Sequence, residues 1–419
     1  MSYPITITVL VDFGNSPTFP VAGTPFTLNN ATYGKLNTGF LGSGSSNIVD
    51  VSSQVAKIQI AGGYNLLQDQ FQINQGTIRI YDPNGWWNPQ NTSSPYYGYL
   101  IPNRKISFTA TYLSVNYPQF AGYINSYNYS FPTTMSVGYV DLMVSDAFRL
   151  LNMASISTVT GAASGQTTGA RINQILDMLQ FPTSLRNIDT GDQLVGADPG
   201  TSRLALQAIK NVEWVEQGAF YIDANGYATF KSRSNVIKTN GSAPITNFSN
   251  DGSAIYYSGI TFAHDDKLIV NNAVFTNTGG TAQTYTDAVS TATYFPHTVT
   301  ASSLVGINDA QALATAKLYV QTRADTTIRI DNITQDLTTP NYGAGILAAL
   351  TLDYFNTVNI KNVQSNGSII TKTLQVMGSN YTVTPNTYDI TFTTSEPIVD
   401  GFVLDSITSG ILDTSILAG

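Results

Sequence analysis

The sequence predicts a mainly β protein in which a small α+β insertion separates two β domains. Residue types that favour strands are common, including 24 Tyr, whereas the helix-favouring Glu occurs only at positions 213, 216 and 396. Short segments towards both ends of the chain alternate between apolar and polar residues, as half-buried strands do. Helical spacing is concentrated between residues 167 and 216.

Length and composition limit the possible functions. The chain has 419 residues, enough for about three domains. It has no Cys, which excludes disulfides, zinc–thiolate sites and thiol catalysis, and its only His, His264 and His297, lie far apart in sequence. The net charge is −8 and only 11% of residues are charged, which is unlike a nucleic-acid-binding protein. We therefore expect no metal, no cofactor and no specific binding of DNA.

The apolar segments predict neither secretion nor insertion into a membrane. The first residues lack the basic region and long apolar core of a secretory signal. No run of about 18 apolar residues occurs along the chain.

Residues 1–150 are predicted to form one β-barrel or β-sandwich domain with long loops. Its six predicted strands lie at 5–11, 55–61, 76–81, 105–112, 118–124 and 139–144. Residues 14–47 are dense in Gly, Pro, Ser, Thr and Asn, and within them 42–47 is typical of a flexible loop.

Residues 151–264 are predicted to form the α+β insertion. A helix is expected over 171–181, capped by Thr167 or Thr168, because four apolar residues share one face. A second helix is expected to begin at a cap on Ser202. The segment 219–230 then predicts a β-hairpin with a type I′ turn at Asn225 and Gly226.

Residues 265–397 are predicted to form a second β domain with one helix. Its strands are expected at 268–275, 327–333, 358–363, 369–377 and 387–393. The helix, over 309–322, is expected to be capped by Asp309 and to turn Leu313, Ala316 and Val320 inward. Residues 398–419 form a C-terminal tail with a short echo, Leu-Asp-Ser at 404–406 and Leu-Asp-Thr at 412–414. The sequence shows no longer repeat.

The sequence offers few catalytic candidates. His264, Asp265 and Asp266 are adjacent and raise the question of a metal site, an acid–base pair or part of a triad. Neighbouring residues in a strand point to opposite faces, so we expect these carboxylates to diverge in a solvated loop. No Walker loop, dinucleotide-binding fingerprint or EF-hand loop is present.

Glu213 and Glu216 are three residues apart near a predicted helix end and flank Trp214. Paired carboxylates beside an aromatic ring are typical of glycosidase sites. The alternative interpretation is a solvated helix end whose Trp214 packs on the hairpin.

Five aromatic residues define a candidate docking site in the first domain: Trp86, Trp87, Tyr96, Tyr97 and Tyr99. Aromatic residues dominate protein–protein interfaces, and four prolines stiffen this segment, so we expect it to dock a partner. The same rings offer surfaces on which sugars or bases would stack.

Several motifs resemble those of minor tail proteins of the baseplate-hub type from long-tailed phages. They include Pro-Tyr-Tyr-Gly at 95–98, and they lie at 51–55, 76–84, 91–98, 101–106, 120–124, 146–151, 218–230 and 402–413. The resemblance covers most of the chain, and the Pro-Tyr-Tyr-Gly block is its most specific part.

The resemblance implies two tube-like β-barrel domains per chain and a homotrimer that presents six barrels in a ring. Such a hub would sit at the distal end of a tail tube and adapt six-fold to three-fold symmetry. Its implied partners are the tail tube or a distal tail protein, the tape-measure protein, and a tip or fibre protein. DNA would pass through without specific binding, and the net negative charge would favour this by repulsion.

A hub of this kind would be a non-enzymatic virion protein made in the host cytoplasm. The alternative hypothesis is a β-rich carbohydrate-binding or carbohydrate-active protein of the tail or surface. It would use Glu213 and Glu216, or the Trp86–Trp87 segment, to contact sugar.

Overall fold

The structure, a computed structural model, describes residues 4–14, 48–66, 69–130, 138–242, 245–338, 341 and 343–397. The predicted flexible loop at 42–47 and the tail at 398–419 lie outside these residues.

Strands β1 to β7 make up the first lobe. In chain order they are β1 Thr6–Asp12, β2 Ile48–Asp50, β3 Val55–Asn65, β4 Gln70–Tyr81, β5 Arg104–Tyr112, β6 Val115–Ser130 and β7 Tyr139–Ser145. The six strands predicted from alternation are therefore present. Three of them, β3, β4 and β6, extend well beyond the predicted ends.

The middle of the chain contains four helices and seven short strands. In order they are α1 Phe148–Met153, β8 Ser155–Ile156, β9 Gln166–Thr167, α2 Thr168–Met178, β10 Arg186–Ile188, β11 Leu194–Val195, β12 Arg203–Leu204, α3 Ala205–Glu216, β13 Ala219–Ile222, β14 Ala228–Lys231 and α4 Arg233–Ser242. The predicted helices and hairpin correspond to α2, α3 and the β13–β14 pair. Thr167 accepts a hydrogen bond from the Ala170 backbone N–H and caps α2, as predicted.

The last part of the chain contains nine strands and three helices among its described residues. In order they are β15 Thr246–Ser249, β16 Gly259–Ala263, β17 Asn272–Asn277, β18 Gln283–Thr286, α5 Ala288–Tyr294, β19 Thr298–Leu304, α6 Asp309–Gln321, β20 Arg329–Asp336, α7 Ala344–Thr351, β21 Thr357–Val363, β22 Ile369–Thr384 and β23 Thr387–Ser395. The prediction of a single helix in 265–397 is therefore wrong.

One large sheet connects the two ends of the chain. It contains 13 strands, and its main path runs β16-β20-β23-β22-β3-β4-β7-β6-β5-β1-β2, with β21 and β15 beside β22. We call β15, β16 and β20 to β23 the second lobe. The mainly β prediction is confirmed. Within the described residues the sheet does not close, so two closed barrels are not seen.

The two lobes have the same strand order. The first lobe runs β3-β4-β7-β6-β5-β1 across the sheet, and the second runs β16-β20-β23-β22-β21-β15. Numbered along the chain within each lobe, both orders are 2-3-6-5-4-1, when the three-residue β2 is set aside. The lobes differ at one pairing, because β1 is antiparallel to β5 whereas β15 is parallel to β21. The fold thus contains a tandem repeat that the sequence did not reveal.

The lobes are joined by antiparallel pairing of β3 with β22, which we call the seam. Its register runs from Gly63 opposite Gly378 to Ile58 opposite Val383. Gly63 has a φ of +127°, and a Cβ on it would lie 2.3 Å from the Gly378 Cα. Only glycine allows the two backbones to approach this closely in that conformation. Both strands also carry a β-bulge beside these glycines.

Side-chain alternation is preserved across the seam, so the sheet has one apolar and one polar face. A buried row passes from Leu142 through Ile78 and Ile58 to Val383 and Tyr388. The neighbouring row lies on the opposite side, which we call the open face. It consists of Ser126, Met143, Thr77, Gln59, Thr382, Asp389 and Asp336.

The apolar residues form two cores. The first is built by the large sheet, and α7 packs Ile346 and Leu350 into it. The second unites residues 147–236 with 270–320, because β17, β18 and β19 form a separate sheet on which α6 packs. Residues 270–320 were predicted in the second β domain, but their side chains pack with the insertion. The proposed domain boundaries remain a prediction about folding units.

Several local predictions need correction. Leu204 occupies the cap position of α3 and makes no side-chain cap bond, so Ser202 is not the cap. Asn308 rather than Asp309 caps α6, through a bond from the Gln311 backbone N–H. Leu313 on α6 is exposed.

The β13–β14 hairpin turns by a different geometry from the predicted type I′. That turn needs positive φ at both central residues, but only Gly226 has it, at +86°. The Asp223 backbone N–H bonds the Tyr227 carbonyl, which leaves a three-residue loop. Asp223 also accepts bonds from the Asn225 and Tyr227 backbone N–H groups. The carboxylate therefore stabilises a turn that Asn225 and Gly226 alone did not specify.

A buried polar node connects the sheet to the middle of the chain. The Asp146 carboxylate, at the end of β7, accepts bonds of 2.9 Å from both the backbone N and the side-chain Nδ2 of Asn74. It also accepts one from the Phe148 backbone N, which opens α1. Asn74 in turn accepts a bond from the hydroxyl of Tyr354, which lies between α7 and β21. Burial raises the pKa of Asp146 to about 7.

Gly63→Ala should strongly destabilise the protein. The new Cβ would clash with Gly378 and stand at an unfavourable φ, and together these should lower the free energy of unfolding by roughly 3 kcal/mol. Gly98→Ala is the matched control, since Gly98 has a φ of +80° with open space around it and should cost about 1 kcal/mol. Urea denaturation measures both. Equal losses for the two variants would show that the seam tolerates a side chain.

Asp146 should make stability depend on pH. Its folded pKa of about 7 lies above the unfolded value of about 3.9. The protonated carboxyl therefore stabilises the fold fully below pH about 3.9, and this stabilisation is lost as the pH rises to 7. Between pH 4 and 7 the free energy of unfolding of the wild type should therefore fall relative to Asp146→Asn, by about 1.4 kcal/mol per pH unit. Denaturation curves of both proteins across this range test it. Parallel pH profiles would contradict the assignment.

Candidate functional site

The aromatic loop, residues 82–103 between β4 and β5, is organised by one buried carboxylate. Asp82 accepts bonds from the backbone N–H groups of Trp86 at 2.7 Å and Trp87 at 3.0 Å. Successive turns follow as far as Tyr99, each closed by a backbone bond between residues three apart. At the far end, the Arg104 Nε donates to the Tyr99 carbonyl at 2.9 Å. The loop is thus tied to the sheet at both ends.

The inner rings of this loop belong to the core. Trp87 is fully buried and Tyr96 is 7% exposed. Both pack on Phe13, with ring centroids 6.1 Å and 5.1 Å away. Trp87 and Tyr96 are therefore core rings of the folded loop, and their predicted docking role stays a prediction.

The outer rings remain available. Tyr97 is 50% exposed, Tyr99 is 37% exposed and Trp86 is half-buried. Ile101 beside them is also exposed. For Trp86, Tyr97 and Tyr99 the docking role stays a prediction.

Glu213 is a structural carboxylate. It is buried, its Oε2 lies 2.8 Å from the Lys210 Nζ, and its Oε1 accepts a 2.7 Å bond from the Phe220 backbone N. Burial raises its pKa. The adjoining cavity has about 30 Å³, room for about one water molecule and none for a sugar.

Glu216 is buried too, and it holds two loops together. Its Oε1 accepts from the Asp192 backbone N at 2.8 Å, and its Oε2 accepts from the Thr168 hydroxyl at 2.7 Å and the Gln193 backbone N at 3.0 Å. Burial raises the pKa of this carboxyl. The predicted solvated helix end is therefore wrong, and neither carboxylate faces a cleft as a glycosidase pair would.

Trp214 lies between these two carboxylates but packs elsewhere than predicted. Its ring contacts Phe275 of β17 and Tyr319 of α6, with centroids 5.6 Å and 5.4 Å away. It therefore joins α3 to the separate sheet rather than to the hairpin.

The adjacent acidic residues after β16 diverge, as expected. The Asp265 Oδ1 lies 3.0 Å from the Arg329 NH1, whereas the Asp266 Oδ2 lies 3.7 Å from the His297 Nε2. Across the described ranges, no group of three or more His, Cys, Asp and Glu residues is placed to hold a metal ion. No described helix is both long and apolar enough to span a membrane.

An ion pair that the sequence did not reveal ties the second core to the first lobe. The Arg323 NH2, just beyond α6, lies 2.7 Å from the Asp69 Oδ2 in the β3–β4 turn. The Tyr64 hydroxyl donates to the other Asp69 oxygen. The guanidinium also lies 4.0 Å from the centre of the Tyr319 ring. This contact fixes the C-terminal end of α6, and with it the separate sheet on which α6 packs, against the large sheet.

The open face is a further candidate functional surface. Besides the row through both lobes, it carries a row through Asn128, Asp141, Arg79 and Lys57 and another through Gln75, Ala61, Asn380, Thr391 and Thr334. Hydroxyl and amide side chains predominate. The charged residues in these rows are two basic and three acidic, and Arg79 pairs with Asp141 at 2.7 Å. The face is therefore polar and nearly neutral.

Trp87→Ala and Tyr97→Ala should separate the core of the aromatic loop from its surface. Removing the buried Trp87 ring should lower the free energy of unfolding by roughly 4 kcal/mol, whereas removing the exposed Tyr97 ring should change it by less than about 0.5 kcal/mol. Urea denaturation of the two variants measures this difference. A wild-type stability for Trp87→Ala would place that ring outside the core.

Comparison with known proteins supports the fold. No protein-family model matches the chain, and no curated protein matches its sequence. Among solved structures, the tail protein from Neisseria meningitidis MC58 is similar, with a TM-score of 0.57, 11% identity, and coverage of 94% of this chain and 97% of that one. The 43 kDa tail protein of prophage MuSo2 from Shewanella oneidensis is similar too, with a TM-score of 0.54, 11% identity, and coverage of 94% and 98%. The chain therefore has the fold of these phage tail proteins, as its sequence motifs indicated.

Proposed function

We propose that this chain is a structural, non-enzymatic protein of a phage tail. In this proposal it forms a homotrimeric hub at the distal end of the tail tube, adapts the six-fold tube to a three-fold tip and lines the channel for DNA ejection. Its site of action is the virion, after synthesis in the host cytoplasm. The likeness in fold to two phage tail proteins over nearly the whole chain supports the assignment to a tail.

The repeated strand order is the observation that carries the hub proposal. Each chain holds two lobes with the same order of six strands, and the seam sets them side by side in one sheet. Three such chains present six equivalent lobes around an axis. One edge of the ring would then match a six-fold tube, while the features found once per chain would match a three-fold tip.

Each tube-like domain of the proposal corresponds to one lobe. The first lobe falls in the predicted domain 1–150, and most of the second falls in 265–397. Residues 151–236 of the middle segment pack outside the sheet together with residues 270–320, whereas β15 and β16 belong to the second lobe. In this arrangement the tube wall would be completed by neighbouring chains rather than within one chain.

The character of the open face supports a channel for DNA. Residues of the strands β1, β5, β15 and β21 and of the helix α7 join the apolar core of the sheet, so the open face is the side proposed as the wall of the channel. DNA is held mainly by basic residues that neutralise its phosphates. A wall of hydroxyl and amide groups with nearly balanced charge lets DNA pass without gripping it. This local neutrality supports the proposal more directly than the net charge of the whole chain.

The partners follow from the position of such a hub. The tail tube or a distal tail protein would contact the six-fold side, the tape-measure protein would enter the channel, and a tip or fibre protein would contact the three-fold side. The exposed rings of Tyr97 and Tyr99 are the proposed docking residues for one of these neighbours.

The purified chain should assemble as a trimer with a central channel. One chain has a mass of 45.1 kDa, so mass photometry should find a particle of about three times that mass. Electron-microscopy class averages should show a ring with six similar lobes. Only monomers at every concentration, together with absence from purified tails, would contradict the hub.

A further inference from the structure

Several strand edges of the large sheet lack a strand partner in the described part of the chain, and two of them correspond to the two sides of the seam. One is the outer edge of β16, which pairs only with β20. The other is the far half of β6. The pairing of β6 with β5 ends at Ile124 of β6. Beyond that residue, β7 is the one described strand with which β6 pairs. Long open edges are usually covered or paired in native proteins.

The internal repeat shows that these two edges are equivalent to the two sides of the seam. In the common strand order, β16 corresponds to β3 and β6 corresponds to β22. Both β6 and β22 are 16 residues long. The first half of β22 pairs with β21 and its second half pairs with β23, with a bulge between the two halves. In the same way, the first half of β6 pairs with β5 and its second half with β7. Inside the chain the far half of β22 pairs with β3. If the far half of β6 pairs as the far half of β22 does, its partner is the strand equivalent to β3, which is β16 of another copy.

We propose that β16 of one copy pairs antiparallel with the far half of β6 of a second copy, so that the seam is reproduced between chains. The contact is head-to-tail, since it joins two different edges, and contacts of this kind form a ring when the rotation between neighbouring copies closes. The inference rests on the proposed trimeric function and identifies the interface that would build it.

The repeat also fixes the register. Ser126 and Gly378 both follow their bulge and oppose Met143 and Thr393, which are equivalent residues in β7 and β23. In the seam, Thr382, four residues after Gly378, lies opposite Gln59. Four residues after Ser126 is Ser130.

The residue of β16 equivalent to Gln59 is Thr261. Each stands on its edge strand beside equivalent residues, Thr77 of β4 and Asn332 of β20. The register therefore sets Ser130 opposite Thr261, and Asn128 opposite Ala263. All four side chains then lie on the open face, which a shift by one residue would prevent.

The interface can be tested with cysteines, because the chain contains none of its own. Asn128 and Ala263 stand at opposite ends of a path of eight strands in a sheet that does not close, so a disulfide between them must join two chains. Directly opposed residues have Cβ atoms about 4.5–5.5 Å apart, close to disulfide geometry, whereas diagonal neighbours are about 7–8 Å apart. The pair Asn128→Cys with Ala263→Cys should therefore cross-link. The offset pair Asn128→Cys with Thr261→Cys is the matched control.

The experiment is mild oxidation of each full-length double variant, followed by non-reducing electrophoresis, with mass photometry and thermal unfolding of the reduced proteins. We expect covalent trimers for the 128–263 pair, at least tenfold less cross-linking for the offset pair, and wild-type unfolding for both. Trimers without a 128–263 disulfide would overturn the edge pairing and leave the hub proposal standing. Monomers throughout would overturn both, and preferential cross-linking of the offset pair would overturn the register.

Discussion

The pairing of β3 with β22 is the constraint on which the rest of the architecture depends. It joins segments more than 300 residues apart in sequence and turns two lobes into one sheet in a fixed register. The seam pairs residues of the open face in one lobe with residues of the open face in the other. The polar side chains of both lobes therefore fall on one face and the apolar ones on the other. The close approach of Gly63 and Gly378 is what allows the backbones to meet there. Without the seam, the two lobes would have independent orientations and no common open face.

The remaining long-range contacts hold the second core against this sheet. Asn74 and Asp146 form one attachment, where β4, β7, α1 and the segment between α7 and β21 meet. The Asp69–Arg323 pair forms another, at the β3–β4 turn. Buried ion pairs contribute little net stability compared with apolar contacts, because desolvation offsets their attraction, but they penalise alternative arrangements. We infer that these polar contacts fix where the α+β part sits, while the two apolar cores supply most of the stability.

The sequence predicted the local structure better than the contacts between distant segments. The alternation over 105–112 and 139–144 matches β5 and β7 to within one residue, because a half-buried strand imposes period two on its own residues. The burial of Trp87 and Glu216 depends on segments far away in the chain, and no local pattern records it. Aromatic rings and carboxylates look alike in sequence whether they face solvent or a core. A glycine pair at 62–63 and a lone Gly378 were the available signals for the seam, but nothing local links them.

The repeat explains why a shared fold and an absent sequence repeat are compatible. A strand order is specified by alternation, strand length and turn positions, and many sequences meet those requirements. Two lobes can therefore keep the order while their residues diverge, as the parallel β15–β21 pairing shows for one strand that has even reversed direction. The pairing between lobes requires fewer features than the whole sequence: a long strand with a bulge, a strand whose edge is free to pair with it, and polar residues on one face. β6 with β22, and β3 with β16, meet these conditions in both lobes. Two lobes joined by this strand pairing therefore need to share the features that form the pairing, and their sequences are otherwise free to differ.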